Sequence, residues 1–284
     1  MQGRTDLALE CLNDTAVTDG IDSKNYKKGD VLVTVINVKS ENAAKNLGKP
    51  RGKYITFEVP EFTNSARVTE EDIEAVKSEI ENLLPSGTIL VAGLGNTDIT
   101  PDALGPKTAA KILATRHIPN DIKQSIGLQT VRSVAVIATG VLGKTGIETA
   151  ELILSATKQI NPAAVVLIDA LASRSVKRLG RTIQISDSGI SPGSGVGNSR
   201  KEISKKTLGV PVISIGVPTV VDAKTLASDV FSTDNLNGSD EFEQMIVTPK
   251  EIDLLIDRAS EYLSLSINCA LQPTLSADEI TYLL

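Results

Sequence analysis

From Thr88 to the C-terminus, two kinds of apolar segment alternate along the chain. In one kind the apolar residues are continuous, and in the other they recur every three or four positions. Continuous runs rich in Val, Ile and Leu are typical of buried strands, and the spaced repeats are typical of helices with one apolar face. Strands are predicted over residues 88–95, 133–138, 163–170, 182–187 and 210–218. Helices are predicted from about Leu104, over 146–159 and over 247–271. This order favours an α/β fold with a mostly parallel sheet flanked by helices.

The residues before Thr88 predict an extension of this sheet. Residues 31–38 and 54–59 are two further apolar runs, joined by a basic, glycine-containing segment that we interpret as a long hairpin loop. Residues 1–30 are polar and turn-rich. Thr69 marks the start of a helix, because acidic residues follow it and apolar residues then recur on one face. We therefore expect a single domain spanning residues 1–284, with a β-rich N-terminal extension.

Two later segments carry local signals of their own. Thr248, Pro249 and Glu251 match the N-cap, N1 and N3 positions of a capping box, so we expect the last long helix to begin there. Residues 232–243 are acidic and polar and contain Gly and Asn, which predicts a mobile surface loop.

Composition and charge narrow the class of protein. Aromatic residues make up only 3% of the chain and Trp is absent, so the core must be aliphatic. The net charge is −6 and basic residues form no block, so we expect no direct binding to nucleic acid. No apolar run is long enough to cross a membrane, and the N-terminus lacks the apolar core of a signal peptide. Cys11 and Cys269 form no CxxC pair, which predicts a cytoplasmic protein with two reduced thiols.

Histidine is scarce, and this limits the chemistry of any active site. His117 is the only histidine, so a zinc site built from two or three imidazoles is excluded by count. The sequence has no Gly-x-Ser-x-Gly motif, and neither cysteine lies in a recognisable nucleophile motif. If the protein is a hydrolase, carboxylates, lysine, Ser or Thr hydroxyls or a hard metal ion must perform the reaction.

Aspartates are well placed for that role. Five lie at or just beyond the ends of predicted strands: Asp98, Asp102, Asp169, Asp187 and Asp222. Any one of them is more often a helix cap than a catalyst. Asp102 and Asp169 stand out, because Asp102 follows a proline in a glycine-bounded loop and Asp169 follows an unbroken apolar strand. Ligands of open α/β sheets collect beyond the carboxyl ends of parallel strands, where two aspartates could share a proton and activate a water.

Three glycine-containing loops could line the same edge of the sheet. The turn at 93–96 lacks the third glycine of a dinucleotide-binding fingerprint, and the loop at 140–146 is too short for a P-loop. Residues 187–200 could form an anion nest or oxyanion site, or a loop that a substrate backbone approaches closely. Beside the two aspartates, we expect the site to be lined by residues of these loops and one arginine: Gly95, Asn96, Asp98, Gly143, Thr145, Arg174, Asp187, Gly193 and Gly195.

Longer motifs resemble those of the germination protease family of endospore-forming bacteria. They are spread over nearly the whole chain, at 4–10, 93–107, 114–117, 143–151, 168–202, 208–223 and 245–257. Residues 229–244 are much shorter than the insertion usual in Bacillus-type relatives. Only a few residues precede Arg4, so we expect any propeptide to be short.

The resemblance implies an atypical aspartic-type endopeptidase that degrades small acid-soluble spore proteins during germination, in the forespore and spore core. It also implies a zymogen, a homotetramer, no cofactor, and a fold similar to that of hydrogenase maturation endopeptidases. By motif, the catalytic carboxylates of the family correspond to Asp102 and Asp169. The cleavage site of the zymogen resembles the substrate site, an acidic residue followed by an aliphatic one and Ala. Asp6-Leu7-Ala8 fits this pattern, which predicts cleavage between Asp6 and Leu7 and loss of residues 1–6.

Two alternatives stay open. A metal-dependent peptidase could use Asp102 and Asp169 as ligands, as the maturation enzymes bind nickel with a further histidine. His117, however, lies in a different motif. A non-enzymatic binding or storage protein could share the fold. Chelator sensitivity identifies the first alternative, and failure to cleave a Glu-Ile-Ala peptide identifies the second.

Overall fold

The computed structural model describes residues 4–13, 15, 19–63, 69–125, 127–197, 200–231 and 245–284. In these residues nine strands form one sheet. They are β1 (Ile21–Lys28), β2 (Val31–Val38), β3 (Gly52–Glu58), β4 (Ile89–Gly93), β5 (Val134–Ala138), β6 (Ala164–Ser173), β7 (Thr182–Ser186), β8 (Val212–Asp222) and β9 (Ile246–Val247). Their order across the sheet is β1-β2-β3-β7-β8-β6-β4-β5, and β9 pairs with the end of β8.

The described residues also form eleven α-helices. They are α1 (Ala8–Asn13), α2 (Glu41–Leu47), α3 (Glu70–Leu83), α4 (Leu104–Ala109), α5 (Asn120–Ser125), α6 (Leu142–Thr145), α7 (Thr149–Ile160), α8 (Lys205–Leu208), α9 (Ala223–Phe231), α10 (Ile252–Leu271) and α11 (Ala277–Leu283). None of the helices in this part of the chain is long and apolar enough to cross a membrane.

The α/β class and the β-rich N-terminal extension are confirmed, but parallel pairing covers less of the sheet than expected. Strands β8, β6, β4 and β5 pair in parallel, whereas β1, β2, β3 and β7 form an antiparallel half. β7 also joins β8 in antiparallel fashion. A parallel return needs a crossover of about a dozen residues or more. Only residues 174–181 separate β6 from β7, so β7 runs the other way.

Helices cover both faces of the sheet, and the core between them is mostly aliphatic as expected, although Phe57, Phe62 and Tyr262 are buried in its main cluster. Along β4, Ile89 and Val91 face the layer that contains α3, α4 and α10. Leu90 and Ala92 face the opposite layer, which contains α7 and α8. This alternation follows from the two-residue period of a strand, and it explains why a strand buried on both faces has an unbroken apolar sequence.

The N-terminal region contains more regular structure than the sequence indicated. Residues 1–30 were expected to be turn-rich, yet α1 and β1 lie there, and α2 replaces the expected hairpin loop. β1 is an edge strand in which only Ile21 is buried, so its sequence shows no apolar alternation. Ser40 caps α2 by accepting a hydrogen bond from the Ala43 backbone, and Gly48 ends it in a left-handed conformation.

One of the two predicted helix caps, at Thr69 and at Thr248, is confirmed. Thr69 and Asp72 form a reciprocal capping box at the start of α3. The capping box predicted at Thr248 is wrong, because α10 begins at Ile252. The Thr248 hydroxyl instead donates a hydrogen bond of 2.9 Å to the Thr219 carbonyl, next to the short strand β9. The surface loop predicted over 232–243 lies outside the described residues.

Candidate active site

A cavity of about 340 Å³ beyond the parallel strands contains both Asp102 and Asp169. Asp102 ends a 3-10 turn that leads from β4 into α4. Asp169 lies in β6, the neighbour of β4, and its residue is only 6% exposed. Because β4 ends at Gly93, opposite Ile168, Asp169 is the first residue of β6 beyond the end of its neighbour. The two side chains therefore meet at the edge of the sheet where α/β proteins bind ligands.

Close backbone packing holds Asp102 in this position. The Asn96 N–H donates to the Asp102 carbonyl at 3.0 Å, and the Asp102 N–H donates to the Ile99 carbonyl at 2.8 Å. Gly95 adopts a φ of +117°, and a Cβ there would lie closer than 3.0 Å to the Asp102 carbonyl oxygen. Only glycine accepts both this dihedral angle and this contact. Gly95 therefore lets the strand-to-helix loop fold against Asp102.

The carboxyl groups of both aspartates have raised pKa values, by different amounts. Burial raises the pKa of Asp102 from 3.8 to about 6, and the Asn96 backbone opposes the shift. Burial raises the pKa of Asp169 well above 3.8, and the negative charges of Asp102 and Asp6 raise it further. The Ala170 N–H, which donates to Asp169 at 3.0 Å, acts in the opposite direction. The pair titrates together, and the deeper burial of Asp169 favours the proton on that residue.

Asp6 reaches the same cavity from the N-terminal segment. Its backbone N–H donates to the Ala172 carbonyl at 2.9 Å. Its carboxylate accepts hydrogen bonds from the Ala172 N–H at 2.9 Å and from the Ser194 hydroxyl at 2.8 Å. Its carbonyl accepts a hydrogen bond of 3.0 Å from the Gln184 side chain, and the next residue, Leu7, is fully buried. The Asp6–Leu7 peptide bond is thus docked against β6 and β7.

The rest of the cavity wall is mostly apolar. Arg200 is the only Lys or Arg of the described residues that lines it, and its guanidinium lies 4.0 Å from the Glu148 carboxylate. Ile99 and Ile246 line the cavity although about half of each residue is exposed, so they form its rim. The apolar residues in the wall are Leu94, Ile99, Pro101, Val141, Leu142, Ala170, Leu171, Ala172, Pro192, Val220 and Ile246.

Four of the nine residues expected to line the site lie at or beside it. Gly95 and Gly193 line the cavity. Asn96 contacts Asp102 through its backbone. Gly195 packs against Asp6, and a Cβ at Gly195 would lie closer than 3.0 Å to the Asp6 carboxylate.

The structure does not bring the other five into the cavity. Asp98 forms an exposed ion pair with Lys144, which lowers the pKa of Asp98. Gly143 and Thr145 are exposed residues of α6. Asp187 accepts a hydrogen bond of 2.7 Å from the Lys53 N–H at the far end of β7. Arg174 lines other cavities, and its backbone N–H donates to the buried Glu10 carboxylate.

Sequence reasoning missed three features of the cavity. Asp6 was expected only as a cleavage position, not as a charge near Asp169. Thr219 lines the cavity and donates a hydrogen bond of 2.8 Å to the Pro101 carbonyl, which ties β8 to the loop of Asp102. Thr219 lies within the apolar run from Val217 to Val221, and this buried threonine was a usable signal. Glu148 also lines the cavity, and no pattern in the sequence marked it as a candidate.

No three His, Cys, Asp or Glu side chains of the described residues form a group that could hold a metal ion. The two cysteines are unpaired: Cys11 is half-buried and Cys269 is buried.

Fold and cavity together define an α/β protein with a paired-carboxylate site. A family model described as germination protease matches residues 6–234. The germination protease of Clostridium tetani is 44% identical, and the match covers 99% of this chain and 98% of that protein. That of Caldanaerobacter subterraneus is 40% identical over similar shares, and that of Priestia megaterium is 41% identical over 80% of this chain and 65% of that protein. The chain belongs to the germination protease family, and the predicted resemblance is confirmed.

Among solved structures, a NiFe hydrogenase maturation protease, HycI, from Thermococcus kodakarensis KOD1 is similar to this chain with a TM-score of 0.41. It is 19% identical, and the match covers 68% of this chain and 98% of that one.

Proposed function

We propose that this germination protease is an endopeptidase that hydrolyses small acid-soluble spore proteins, and that Asp102 and Asp169 activate the attacking water. The observation that carries the proposal is the presence of two carboxyl groups with unequal pKa values in one cavity. A pair of this kind provides a base and an acid at the same pH. The family supports proteolysis, and the aspartic mechanism rests on this site.

The unequal pKa values assign a role to each carboxyl group. Asp102, with its pKa of about 6, is ionised at neutral pH and takes a proton from water as the oxygen attacks the scissile carbonyl carbon. Asp169 keeps its proton and donates a hydrogen bond to the carbonyl oxygen, which stabilises the charge that develops there. Asp102 then passes the proton it took from water to the peptide nitrogen, and the carbon–nitrogen bond breaks to give a carboxyl group and an amine.

We extend the proposal to the cleavage site and to processing of the chain itself. The enzyme cuts after an acidic residue and before an aliphatic one, and the apolar wall of the cavity suits the aliphatic side chain. Cleavage of its own Asp6–Leu7 bond would remove residues 1–6, and Asp6 lies in the cavity that performs it.

We also propose the family's homotetramer. Four copies of the 30.0 kDa chain give a mass of about 120 kDa, which light scattering measures directly.

Substitution of each aspartate tests the proposed mechanism. Asp102→Asn and Asp169→Asn should each lower kcat for a small acid-soluble spore protein by about 10³-fold or more, because losing one member of a catalytic unit costs almost as much as losing all of it. Asp98→Asn is the matched control, since Asp98 lies at the surface, and its activity should stay within about twofold of wild type. Thermal melts verify that all three chains fold.

Three outcomes would contradict the proposal. Normal turnover by either of the first two variants refutes the carboxylate pair. Loss of wild-type activity with a chelator, restored by a divalent metal ion, favours the metal-dependent alternative. Complete inactivity of the wild type toward spore protein and Glu-Ile-Ala peptide alike would favour a binding protein.

A further inference from the structure

The carboxylate of Asp6 is held by a small group of donors that we name the carboxylate socket: the Ser194 hydroxyl, the Ala172 N–H and the space left by Gly195. The Ser194 hydroxyl donates to Asp6 Oδ1 at 2.8 Å, and the Ala172 N–H donates to Asp6 Oδ2 at 2.9 Å. Each carboxylate oxygen therefore has its own donor. Hydrogen bonds to an ionised acceptor are stronger than those to a neutral one, so this arrangement favours a charged carboxylate over an amide.

The backbone around the socket is arranged to admit this group. β4 ends at Gly93, so the edge of β6 beyond Ile168 is open, and Ala172 uses its N–H and carbonyl there to bind Asp6. A Cβ at Gly195 would lie closer than 3.0 Å to both the Asp6 carboxylate and the Ala172 Cβ. Any side chain at position 195 would fill the socket. The absence of a side chain at Gly195 therefore lets the carboxylate reach its two donors.

The chain on both sides of the Asp6–Leu7 bond is held as well. The Gln184 side-chain amide donates to the Asp6 carbonyl at 3.0 Å, and its oxygen accepts from the Ala8 N–H at 2.7 Å. Gln184 on β7 and Asp169 on β6 both pair with Gly216 of β8, the strand between them. Side chains in such a row project from the same face of a sheet. Gln184 thus holds the segment on the face from which Asp169 projects, above a strand position without a side chain.

From these contacts we propose that the carboxylate socket is the subsite that binds the acidic residue immediately before the scissile bond of protein substrates. In the intact chain Asp6 occupies it, and a substrate's acidic residue takes the same place once Asp6 has left. The inference rests on the proposed function. It assigns the preference for an acidic residue to Ser194, Ala172 and Gly195, and not to Arg200, the only Lys or Arg of the described residues that lines the cavity of Asp102 and Asp169.

Peptide binding tests the socket without turnover. The full chain with Asp6→Gly empties the socket, and Asp102→Asn in the same chain prevents consumption of the peptide. Fluorescence anisotropy then measures the Kd of two labelled peptides that differ only in Glu or Gln before Leu-Ala. We expect the Glu peptide to bind about tenfold more tightly than the Gln peptide, and Ser194→Ala to weaken only the Glu peptide, again by about tenfold. Ser191→Ala, in the same loop, is the control and should change neither Kd by more than about twofold.

Several results of these binding measurements would contradict the proposed subsite. Equal Kd values for the two peptides, no binding of either peptide to a chain that melts normally, or an equal loss for both peptides in Ser194→Ala would each overturn the inference. A Glu preference that survives Ser194→Ala and disappears in Arg200→Gln would assign the subsite to the arginine. If the socket behaves as proposed while Asp102 and Asp169 prove dispensable for cleavage, the proposed mechanism fails and the subsite stands.

Discussion

The two carboxyl groups of the cavity make the folded protein sensitive to pH. Each raised pKa means that the folded chain holds a proton which the unfolded chain releases near pH 3.8. The free energy of unfolding therefore falls as the pH rises from 3.8 toward the folded-state pKa values, and the full loss from Asp102 is present at pH 7. Catalytic sites often carry this kind of cost, because their groups are selected for reactivity.

Asparagine at either position should remove that cost. We expect Asp102→Asn to raise the free energy of unfolding at pH 7 by about 2 kcal/mol, or a few degrees in Tm, which is less than the full pKa shift gives because Asp102 is partly exposed. It should change that free energy little at pH 4, where the aspartate is itself neutral. Asp169→Asn should stabilise more, since its pKa is raised further. Thermal melts at both pH values measure this. Asp98→Asn should not stabilise at pH 7, because an ion pair with Lys144 lowers the pKa of Asp98. A drop in Tm at pH 7 for both cavity variants would refute the argument.

At the scale of residues, the sequence was enough to select Asp102 and Asp169 but not to predict that their pKa values differ. Asp102 and Asp169 could be singled out because a loop proline and an apolar strand mark positions beyond strand ends. Their unequal pKa values depend on the depth of burial and on the charge of Asp6, which comes from a distant part of the chain. Asp98 and Asp187 also follow strands, and only the path of each loop turns them away from the cavity.

At the scale of elements, the contact between β4, β6 and α4 positions the cavity. A Cβ at Gly105, in the first turn of α4, would lie closer than 3.0 Å to the Leu94 and Ile168 carbonyl oxygens. α4 can therefore sit directly on the ends of the two strands, which brings the loop of Asp102 next to Asp169. Backbone atoms cannot move aside as a flexible side chain can, so any larger residue at Gly105 must displace the helix.

Two glycine substitutions distinguish the effect of this close contact on stability from the effect of helix propensity. Gly105→Ala should lower the free energy of unfolding by about 3 kcal/mol or more and reduce cleavage strongly, because α4 would shift away from the strands. Gly143→Ala is the matched control in α6, where a Cβ would contact nothing within 4 Å. It should be neutral or stabilising by up to about 1 kcal/mol, since alanine favours a helix. Urea unfolding and peptide cleavage measure both effects. Similar stabilities for the two variants would show that the close packing does not matter.

Comparison of the predicted elements with the observed ones shows which kinds of element a sequence can reveal. β4, β6 and β8 are buried on both faces, so their apolar runs predicted them. β1 has almost no buried residue and is held by its pairing with β2, which leaves no pattern to detect. The start of α10 was misplaced because the Thr248 hydroxyl bonds across the fold to Thr219, and this tertiary contact replaced a local cap. Local sequence signals do not predict tertiary contacts of this kind.

At the scale of the whole molecule, the N-terminal segment separates two cavities. Asp6 and Leu171 line both the cavity of about 340 Å³ that holds the aspartate pair and a second cavity of about 440 Å³ beside it. Lys49 holds the segment from the second side, through a hydrogen bond of 2.9 Å to the Thr5 carbonyl. If cleavage removes residues 1–6 as proposed, the two cavities lose the part of their shared wall that Asp6 forms.

This placement predicts that each chain cuts its own N-terminal segment. Because Asp6 already lies in the cavity of its own chain, cleavage should be first order, with a rate constant that stays the same over about a thirtyfold range of protein concentration. In the proposed mechanism the Asp6 carbonyl exchanges its hydrogen bond to Gln184 for one to Asp169, so the reaction should be slow compared with cleavage of a free peptide. N-terminal sequencing should find Leu7 as the new first residue. A tagged Asp102→Asn chain, mixed with active enzyme, should keep its segment. Cleavage of that inactive chain, or a rate constant that rises in proportion to concentration, would show instead that one molecule processes another.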